Sequence, residues 1–229
     1  ARIVKLSMIN RTYAFCLESC PTIYEALKRK EYYPKGYAGF DYQDKGKLHI
    51  EYPALCIDKT CNLKCESCRK DYITKPQVNE ALLERLSQKI NEEVMPYADS
   101  VCIAGDGEVF YSKVYREMWI NTAGKKRKGI VVKTNGLLFN EQNWKLLEEG
   151  YEQIELHVSI DAASKETYEQ VRRGGKWEIL KKNMEFASRL RQENKLKNFS
   201  IFFVVQQKNY QECKDFVRLG VKWGVDEVE

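Results

Sequence analysis

The chain has 229 residues, of which 43% are hydrophobic and 31% charged, with a formal net charge of +5. This length accommodates one large or two small domains, and the composition suits a buried core with a charged surface. No apolar run approaches the ~20 residues that a membrane-spanning helix needs, which excludes an integral helical membrane protein. Residues 1–10 lack the apolar stretch and small-residue cleavage site of a signal peptide, so we expect a cytoplasmic protein.

Eight cysteines in a cytoplasmic chain of this size favour metal or cluster ligation over a disulfide framework. Residues 1–48 resemble an α-rich N-terminal extension that carries one pair, Cys16 and Cys20. This pair is interpreted either as ligands of an auxiliary iron–sulfur cluster or of zinc, or as two ordinary thiols. Cys102 and Cys213, further along the chain, are expected to be buried thiols.

From residue 49 to residue 229 the chain alternates between strand-like and helix-like segments. The predicted strands are Tyr52–Ile57, Ser100–Ala104, Ile130–Thr134, Ile154–Ile160 and Phe199–Gln206, with a sixth from Glu227. The predicted helices are Gln77–Val94, Val109–Asn121, Glu141–Glu149, Lys165–Arg172, Lys176–Arg191 and Tyr210–Trp223. This repeating order predicts parallel strands joined by helical crossovers.

The fourth predicted strand indicates what kind of sheet these strands form. Along it, polar and apolar residues alternate: Glu155, His157 and Ser159 against Leu156, Val158 and Ile160. A flat sheet covered on both faces would be continuously apolar. The alternation therefore favours an α/β fold in which residues 49–229 form a partial (βα)6 TIM-like barrel with a polar lumen. Lys133 and Phe202 would share that inner face.

The barrel is expected to be truncated at strand six, because neither a sixth helix nor a cysteine-rich tail follows Val225–Glu229. A half-built last strand would leave an unpaired sheet edge, which proteins usually cover. We therefore expect that the sequence is a fragment, or that a partner or a swapped segment completes the sheet.

Three cysteines, Cys61, Cys65 and Cys68, lie within eight residues in the loop after the first predicted strand. Three thiolates can hold three corners of a cubic iron–sulfur cluster and leave the fourth iron open to a ligand that takes part in chemistry. The alternative is a structural zinc site with Cys56 as the fourth thiolate. Cys56 lies on the predicted strand, however, where a packed thiol is expected.

Three further polar clusters follow the next three strands: Gly105–Glu108, Thr134–Gly136 and Ser159–Asp161. Each alone could be an ordinary turn or strand end. In parallel barrels, chemistry is located at the C-terminal ends of the strands, so these clusters and the cysteine loop fall on one rim. Their convergence favours a single active site.

The Cys-x3-Cys-x2-Cys spacing after a first strand resembles that of the radical S-adenosylmethionine (SAM) enzymes, and the resemblance extends from about residue 50 to the end. The matching stretches are Ala104–Glu108, Val132–Gly136, Ser159–Gly175 and Phe203–Asn209, of which the last two resemble the subgroup with a C-terminal auxiliary-cluster (SPASM or twitch) domain. The resemblance implies a [4Fe–4S] cluster whose open iron chelates SAM. One electron then cleaves SAM to a 5′-deoxyadenosyl radical, which takes a hydrogen atom from the substrate.

The same resemblance implies a role for each matching residue. Cys61, Cys65 and Cys68 would ligate the cluster. Gly107 and Glu108 match positions that receive the methionine amino group, where a carboxylate forms a charge-assisted pair. The other matching positions are expected around SAM: Ser159 and Asp161 near its ribose and carboxylate, Asn135 facing its pocket, and Arg172 or Arg173 on its carboxylate.

We therefore expect a radical SAM oxidoreductase or maturase that modifies a peptide or a small metabolite and takes electrons from a donor such as flavodoxin or ferredoxin. The alternatives are a radical SAM cofactor-biosynthesis enzyme that acts on a nucleotide or sugar, and a non-catalytic iron–sulfur or zinc module. No membrane is expected as a partner, because no apolar run is long enough to span one. A nucleic acid is not expected either, because the densest basic run, Lys125–Lys128, falls on the face opposite the rim.

Overall fold

The computed structural model describes residues 53–77, 79–103, 107–120 and 126–229. The predicted N-terminal extension (1–48), its boundary with the barrel, and the pair Cys16 and Cys20 lie outside the described residues and stay predictions. Within the described ranges, no helix combines the length and the apolar character needed to cross a lipid bilayer.

Six parallel strands form one sheet, and their spatial order is their order in the chain. The strands are β1 (Ala54–Leu55), β2 (Ser100–Ile103), β3 (Arg127–Thr134), β4 (Tyr151–Ser159), β5 (Asn198–Phe202) and β6 (Glu227–Val228). In the described part of the chain, β1 pairs with β2 and β6 with β5, so the sheet is open. This confirms the partial barrel, with the carboxyl ends of all strands on one rim.

Helices connect the strands. They are α1 (Glu80–Glu93), α2 (Lys113–Trp119), α3 (Glu141–Gly150), α4 (Lys165–Val171), α5 (Trp177–Gln192) and α6 (Cys213–Trp223), with short 3-10 turns at Met95–Tyr97 and Tyr210–Glu212. Four helices begin at a polar residue whose side chain accepts a hydrogen bond from the N–H of the third helical residue: Asn79, Ser112, Asn140 and Ser164. These caps satisfy donors that the helix itself leaves unpaired and so fix where each helix starts.

The core lies between the sheet and the helices. Leu156 and Val158 of β4 are fully buried, as are Leu180 and Met184 of α5. Burying each such side chain contributes about 1.5–3 kcal/mol. On the opposite face of β4 the residues are partly exposed: Glu155, His157 and Ser159. The predicted alternation, apolar toward the helices and polar toward the lumen, is confirmed.

Helix α2 begins later than predicted, at Lys113 rather than Val109. The N–H of Ser112 donates to the carbonyl of Glu108 at 2.9 Å, which makes residues 108–112 a turn. The hydroxyl of Ser112 then caps the helix. Glu108 therefore lies in this turn, before the first residue of α2.

Strand β5 ends earlier than predicted, at Phe202 rather than Gln206. The N–H of Val204 donates to the carboxylate of Asp161 at 2.9 Å instead of to a neighbouring strand. The N–H of Gln206 donates to the side-chain amide of Asn209 at 2.6 Å. Side chains therefore replace the strand pairing and bend this segment over the rim.

The cysteines outside the loop differ from one another. Cys102 is buried on β2, as predicted. Cys56 and Cys213 are exposed, so the prediction that they are buried thiols is wrong. Strand β1 ends at Leu55, which leaves Cys56 beyond the sheet, and Cys213 opens helix α6 on its outer side.

Candidate active site

The loop after β1 presents the three candidate ligands at different depths. Cys61 and Cys65 are buried, whereas Cys68 is exposed. The N–H groups of Cys68 and Arg69 donate to the carbonyl of Cys65 at 3.1 and 3.0 Å and close the last turn of the loop. Leu63, which is 1% exposed, anchors the loop in the core. The three thiols therefore lie on one short segment with a defined conformation.

A buried network from helix α2 holds the segment that leads into this loop. The hydroxyl of Tyr115 accepts the N–H groups of Ile57 and Asp58, both at 3.0 Å, and donates to the carbonyl of Asp58 at 2.9 Å. The carboxylate of Asp58 accepts the hydroxyls of Ser112 and Thr60 at 2.5 and 2.8 Å. Motif reasoning missed these residues. Their one sequence signal is Ser112, a residue type that commonly caps helices.

The other side of the cysteine loop is tied to the turn between α4 and α5. The N–H of Lys64 donates to the carbonyl of Arg173, and that of Glu66 to the carbonyl of Val171, both at 2.9 Å. The carboxylate of Glu66 also accepts the ammonium of Lys208 at 2.9 Å. The loop therefore bridges the first and fourth βα units, which are distant in sequence.

Gly107 lies directly against this loop. A Cβ atom on Gly107 would be 2.5 Å from the carbonyl oxygen of Asp58 and 2.9 Å from that of Thr60, closer than real Cβ contacts come. Only glycine lets the two backbones approach so closely. The N–H of Glu108 donates to the same Thr60 carbonyl at 2.9 Å, which fixes the loop after β2 to the loop after β1.

Glu108 turns its carboxylate into the rim. The side chain accepts the hydroxyl of Thr134 at 2.5 Å and the N–H of Asn135 at 2.7 Å, and the residue is 1% exposed. Burial raises the pKa of Glu108, although these two hydrogen bonds favour the ionised form. A cation bound beside the carboxylate would compensate for its burial.

Asp161 and Arg172 form a buried ion pair on the same rim. Oδ2 of Asp161 lies 2.8 Å from Nη2 of Arg172, with 1% and 11% of the two side chains exposed. Asp161 has the left-handed backbone conformation (φ 63°), which short polar residues tolerate best after glycine. Nη1 of Arg172 donates to Sγ of Cys65 at 3.5 Å. Burial alone would lower the pKa of Arg172, but Cys65 and Asp161 raise it, so the guanidinium stays charged.

Asn209 supports this ion pair through the backbone of Asp161. No role was assigned to it from the sequence. It is fully buried, and its Nδ2 donates to the carbonyls of Asp161 and Val204 at 2.9 and 3.0 Å. These bonds hold the backbone of Asp161 in its unusual conformation. In the sequence, Asn209 ends the matching stretch Phe203–Asn209, but its position there does not reveal its partner.

Of the remaining predicted residues, Asn135 and Ser159 lie on the inner side of the rim, whereas Arg173 does not. Nδ2 of Asn135 donates to the side-chain oxygen of Asn62 at 2.8 Å and lies 3.9 Å from Sγ of Cys61. Ser159 ends β4 and is partly exposed on the inner face of the sheet. The side chain of Arg173 lies outside the buried cluster, with its Nη2 3.6 Å from Oε2 of Glu66. Of the two candidate arginines, only Arg172 therefore joins the buried cluster.

Deeper in the lumen, one register row crosses four strands through Lys133, His157, Ser200 and Glu227. The ring of His157 stacks on Phe202 at 5.4 Å, and its Nδ1 is buried without a hydrogen-bond partner in the described part of the chain. Burial lowers the pKa of His157, and the positive charge of nearby Lys133 lowers it further. Both effects favour the neutral imidazole. This row gives the lumen polar groups that can contact a ligand.

The donor set fits an iron–sulfur cluster and a polar ligand. Among the described residues, no three His, Cys, Asp or Glu side chains form a group that could hold a single metal ion. In a cubic cluster, however, each of the three thiolates would bind a different iron, so the three sulfurs need not converge on one point. Near Cys65, three buried polar atoms find no hydrogen-bond partner among the residues that the structure describes. They are Nε of Arg172, the hydroxyl of Tyr168, and Oδ2 of Asp161, although Oδ2 takes part in the ion pair. Such atoms are rare and indicate where a polar ligand would complete the site.

Residues 57–220 match the family model of the radical SAM superfamily. A probable GTP 3′,8-cyclase of Methanococcus maripaludis (strain C7) is 28% identical over 145 residues, covering 63% of this chain and 48% of that protein. A GTP 3′,8-cyclase of Alkaliphilus oremlandii (strain OhILAs) is 28% identical over 137 residues, covering 58% and 42%. The chain therefore spans about half the length of the curated relatives it matches.

Two solved structures share the fold. SuiB of Streptococcus suis, bound to its precursor peptide SuiA, has a TM-score of 0.54 at 17% identity, covering 79% of this chain and 38% of SuiB. The protein anSMEcpe with bound AdoMet has a TM-score of 0.51 at 19% identity, covering 79% and 50%. Because the family model matches well over half of the residues, the chain belongs to the radical SAM superfamily, whose enzymes use a [4Fe–4S] cluster and SAM.

Proposed function

We propose that this chain cleaves SAM reductively, with Cys61, Cys65 and Cys68 as the cluster ligands, and that the resulting radical abstracts hydrogen from a substrate in the lumen. One observation carries the proposal. The three thiols, the carboxylate of Glu108 and the ion pair of Asp161 with Arg172 lie on one rim of an open parallel barrel. When bound, the two cofactors supply an electron and a 5′-deoxyadenosyl radical, chemistry that side chains cannot perform.

The side chains of the rim bind and orient SAM in this proposal. The carboxylate of Glu108 accepts the methionine ammonium, because it is buried and already aligned by Thr134 and Asn135. Arg172 donates its Nε, which has no hydrogen-bond partner within the described ranges, to the methionine carboxylate, while Asp161 keeps the guanidinium in place. Ser159 and Asn135 then face the ribose side.

The substrate class is the finer part of the proposal. We favour a peptide, because Ser159–Gly175 and Phe203–Asn209 resemble the auxiliary-cluster subgroup. The predicted electron donor of flavodoxin or ferredoxin type and the predicted cytoplasmic location belong to the same proposal. The second candidate is a nucleotide such as GTP, which is favoured by the names of the curated relatives.

The direct test is anaerobic reconstitution with iron and sulfide, followed by dithionite and SAM. We expect about four irons per chain and the formation of 5′-deoxyadenosine, detected by chromatography. A variant with all three loop cysteines changed to alanine should lose the visible absorbance of the cluster. The matched control is Cys213→Ala, which removes an exposed thiol on α6 and should retain it.

A reduced cluster that never cleaves SAM would contradict the enzymatic proposal. Zinc in place of iron would favour a scaffold role. With cleavage established, adding GTP or a candidate peptide and measuring the increase in 5′-deoxyadenosine separates the two substrate classes.

A further inference from the structure

Each sulfur of the cysteine loop receives an N–H donor, and the three donors differ in kind. Sγ of Cys61 accepts the backbone N–H of Leu63 at 3.4 Å. Sγ of Cys65 accepts the buried guanidinium of Arg172 at 3.5 Å. Sγ of Cys68, the exposed member, accepts a side chain that no motif predicted, the guanidinium of Arg69.

Arg69 contacts the loop through all three of its guanidinium nitrogens. Nε and Nη2 donate to Sγ of Cys68 at 3.4 and 3.3 Å, and Nη1 donates to the carbonyl of Lys59 at 2.6 Å. The carbonyl fixes the plane of the guanidinium, so that two N–H groups point at one sulfur. A lysine ammonium at this position could not reproduce that fork, because its three donors leave one nitrogen.

Hydrogen bonds to cysteine sulfurs are among the factors that set the reduction potential of an iron–sulfur cluster, together with net charge and solvent exposure. Reduction adds negative charge, and a cationic donor at the sulfur stabilises the reduced form more than the oxidised one. We propose that Arg69 acts as a positioning residue that raises the reduction potential of the cluster through its two N–H donors to Cys68. This inference rests on the proposed function, since it requires the cluster.

Arg69 is better suited to a test than Arg172. Arg172 also pairs with Asp161, so changing it would disturb the SAM pocket as well as Cys65. Arg69 is partly exposed at the outer end of the loop. The adjacent Lys70 is exposed, and no hydrogen bond joins it to a cysteine in the described part of the chain. Lys70→Gln is therefore a control that removes the same charge from the same loop without removing a sulfur contact.

The experiment is an anaerobic reductive titration of reconstituted protein, with dithionite as the electron donor and the EPR signal of the reduced cluster as the readout. Each dithionite ion is oxidised to two sulfite ions and supplies two electrons, one to each of two clusters. Wild type, Arg69→Met, Arg69→Lys and Lys70→Gln are compared after iron analysis. We expect Arg69→Met to be half-reduced at a more negative potential than Lys70→Gln, and Arg69→Lys to be shifted as well despite its retained charge.

Equal potentials for Arg69→Met and Lys70→Gln would overturn the inference, because charge alone would then account for the effect. If neither Arg69 variant takes up iron, the guanidinium holds the loop in place without tuning the cluster, and the inference is also overturned. The proposed function fails separately. In that case wild-type protein itself takes up no cluster, or its reduced cluster leaves SAM intact.

Discussion

Substituting Gly107 by alanine should separate the two loops that form the rim. The added methyl group would meet the carbonyl oxygens of Asp58 and Thr60 at 2.5 and 2.9 Å, where ordinary contact begins at 3.4 Å. Both neighbours are backbone atoms, so neither can rotate away as a flexible side chain could. Tyr115, 3.2 Å away, blocks movement on a third side.

The cost can be estimated from these contacts. Forced overpacking of this kind costs about 1–3 kcal/mol. Moving the loops apart also breaks the 2.9 Å hydrogen bond from the N–H of Glu108 to Thr60, which adds about 1 kcal/mol. We therefore expect Gly107→Ala to lower the free energy of unfolding by about 2–4 kcal/mol. Since Glu108 moves with the loop, SAM binding should weaken as well.

Equilibrium urea unfolding measures the loss of stability, and calorimetric titration with SAM measures the loss of affinity. The matched control is Gly224→Ala, at the end of α6, where φ is +64°. Apart from its chain neighbours, no described residue comes within 4 Å of the added Cβ. Only backbone strain, about 1 kcal/mol, is expected there, with SAM affinity unchanged. A Gly107→Ala protein as stable as wild type, with the same SAM affinity, would refute the close approach of the two loops.

Three further predictions concern the supports of the site and the sheet. Tyr115→Phe removes the acceptor of the partly buried N–H of Ile57 and the buried N–H of Asp58, so urea unfolding should show a loss of about 1–3 kcal/mol, and less iron should be retained. Glu108→Gln should bind SAM about tenfold or more weakly in calorimetry, because the charge is lost, and its amide can accept only one of the two hydrogen bonds from Thr134 and Asn135. Arg191 lowers the pKa of Asp226 through two 2.7 Å contacts, so this carboxylate stabilises the fold above about pH 4. Asp226→Asn should therefore cost about 1 kcal/mol at neutral pH in urea unfolding, and this cost should shrink progressively as the pH falls below about 4.

The rim could be predicted from the sequence because its parts are local. A cysteine triplet after a strand, or a polar residue at a strand end, identifies itself by position alone. The alternation along β4 likewise predicted which of its faces is polar. The lengths of β1 and β5 could not be predicted in this way, since β5 ends where the carboxylate of Asp161 takes the N–H of Val204, 43 residues away.

The residues that support the rim could not be predicted either, because their partners are distant in the chain. Asp58 and Tyr115 look unremarkable in sequence, and only the fold brings them within 3 Å of each other. Arg69 follows a cysteine directly, but its position alone does not reveal that its side chain turns back to the sulfur. The choice between Arg172 and Arg173 also required the structure, because neighbouring residues on a chain can face opposite environments.

The bridging of the first and fourth βα units by the cysteine loop has a consequence for the order of folding. The backbone of Lys64 and Glu66 has its partners in residues 171–173, so the loop cannot adopt its final conformation until the fourth unit is in place. Domains are made from the N-terminus onward, at ~5–20 residues per second. The three cysteines therefore leave the ribosome well before their partners. If they bind the proposed cluster, we expect its insertion to follow the folding of the fourth unit.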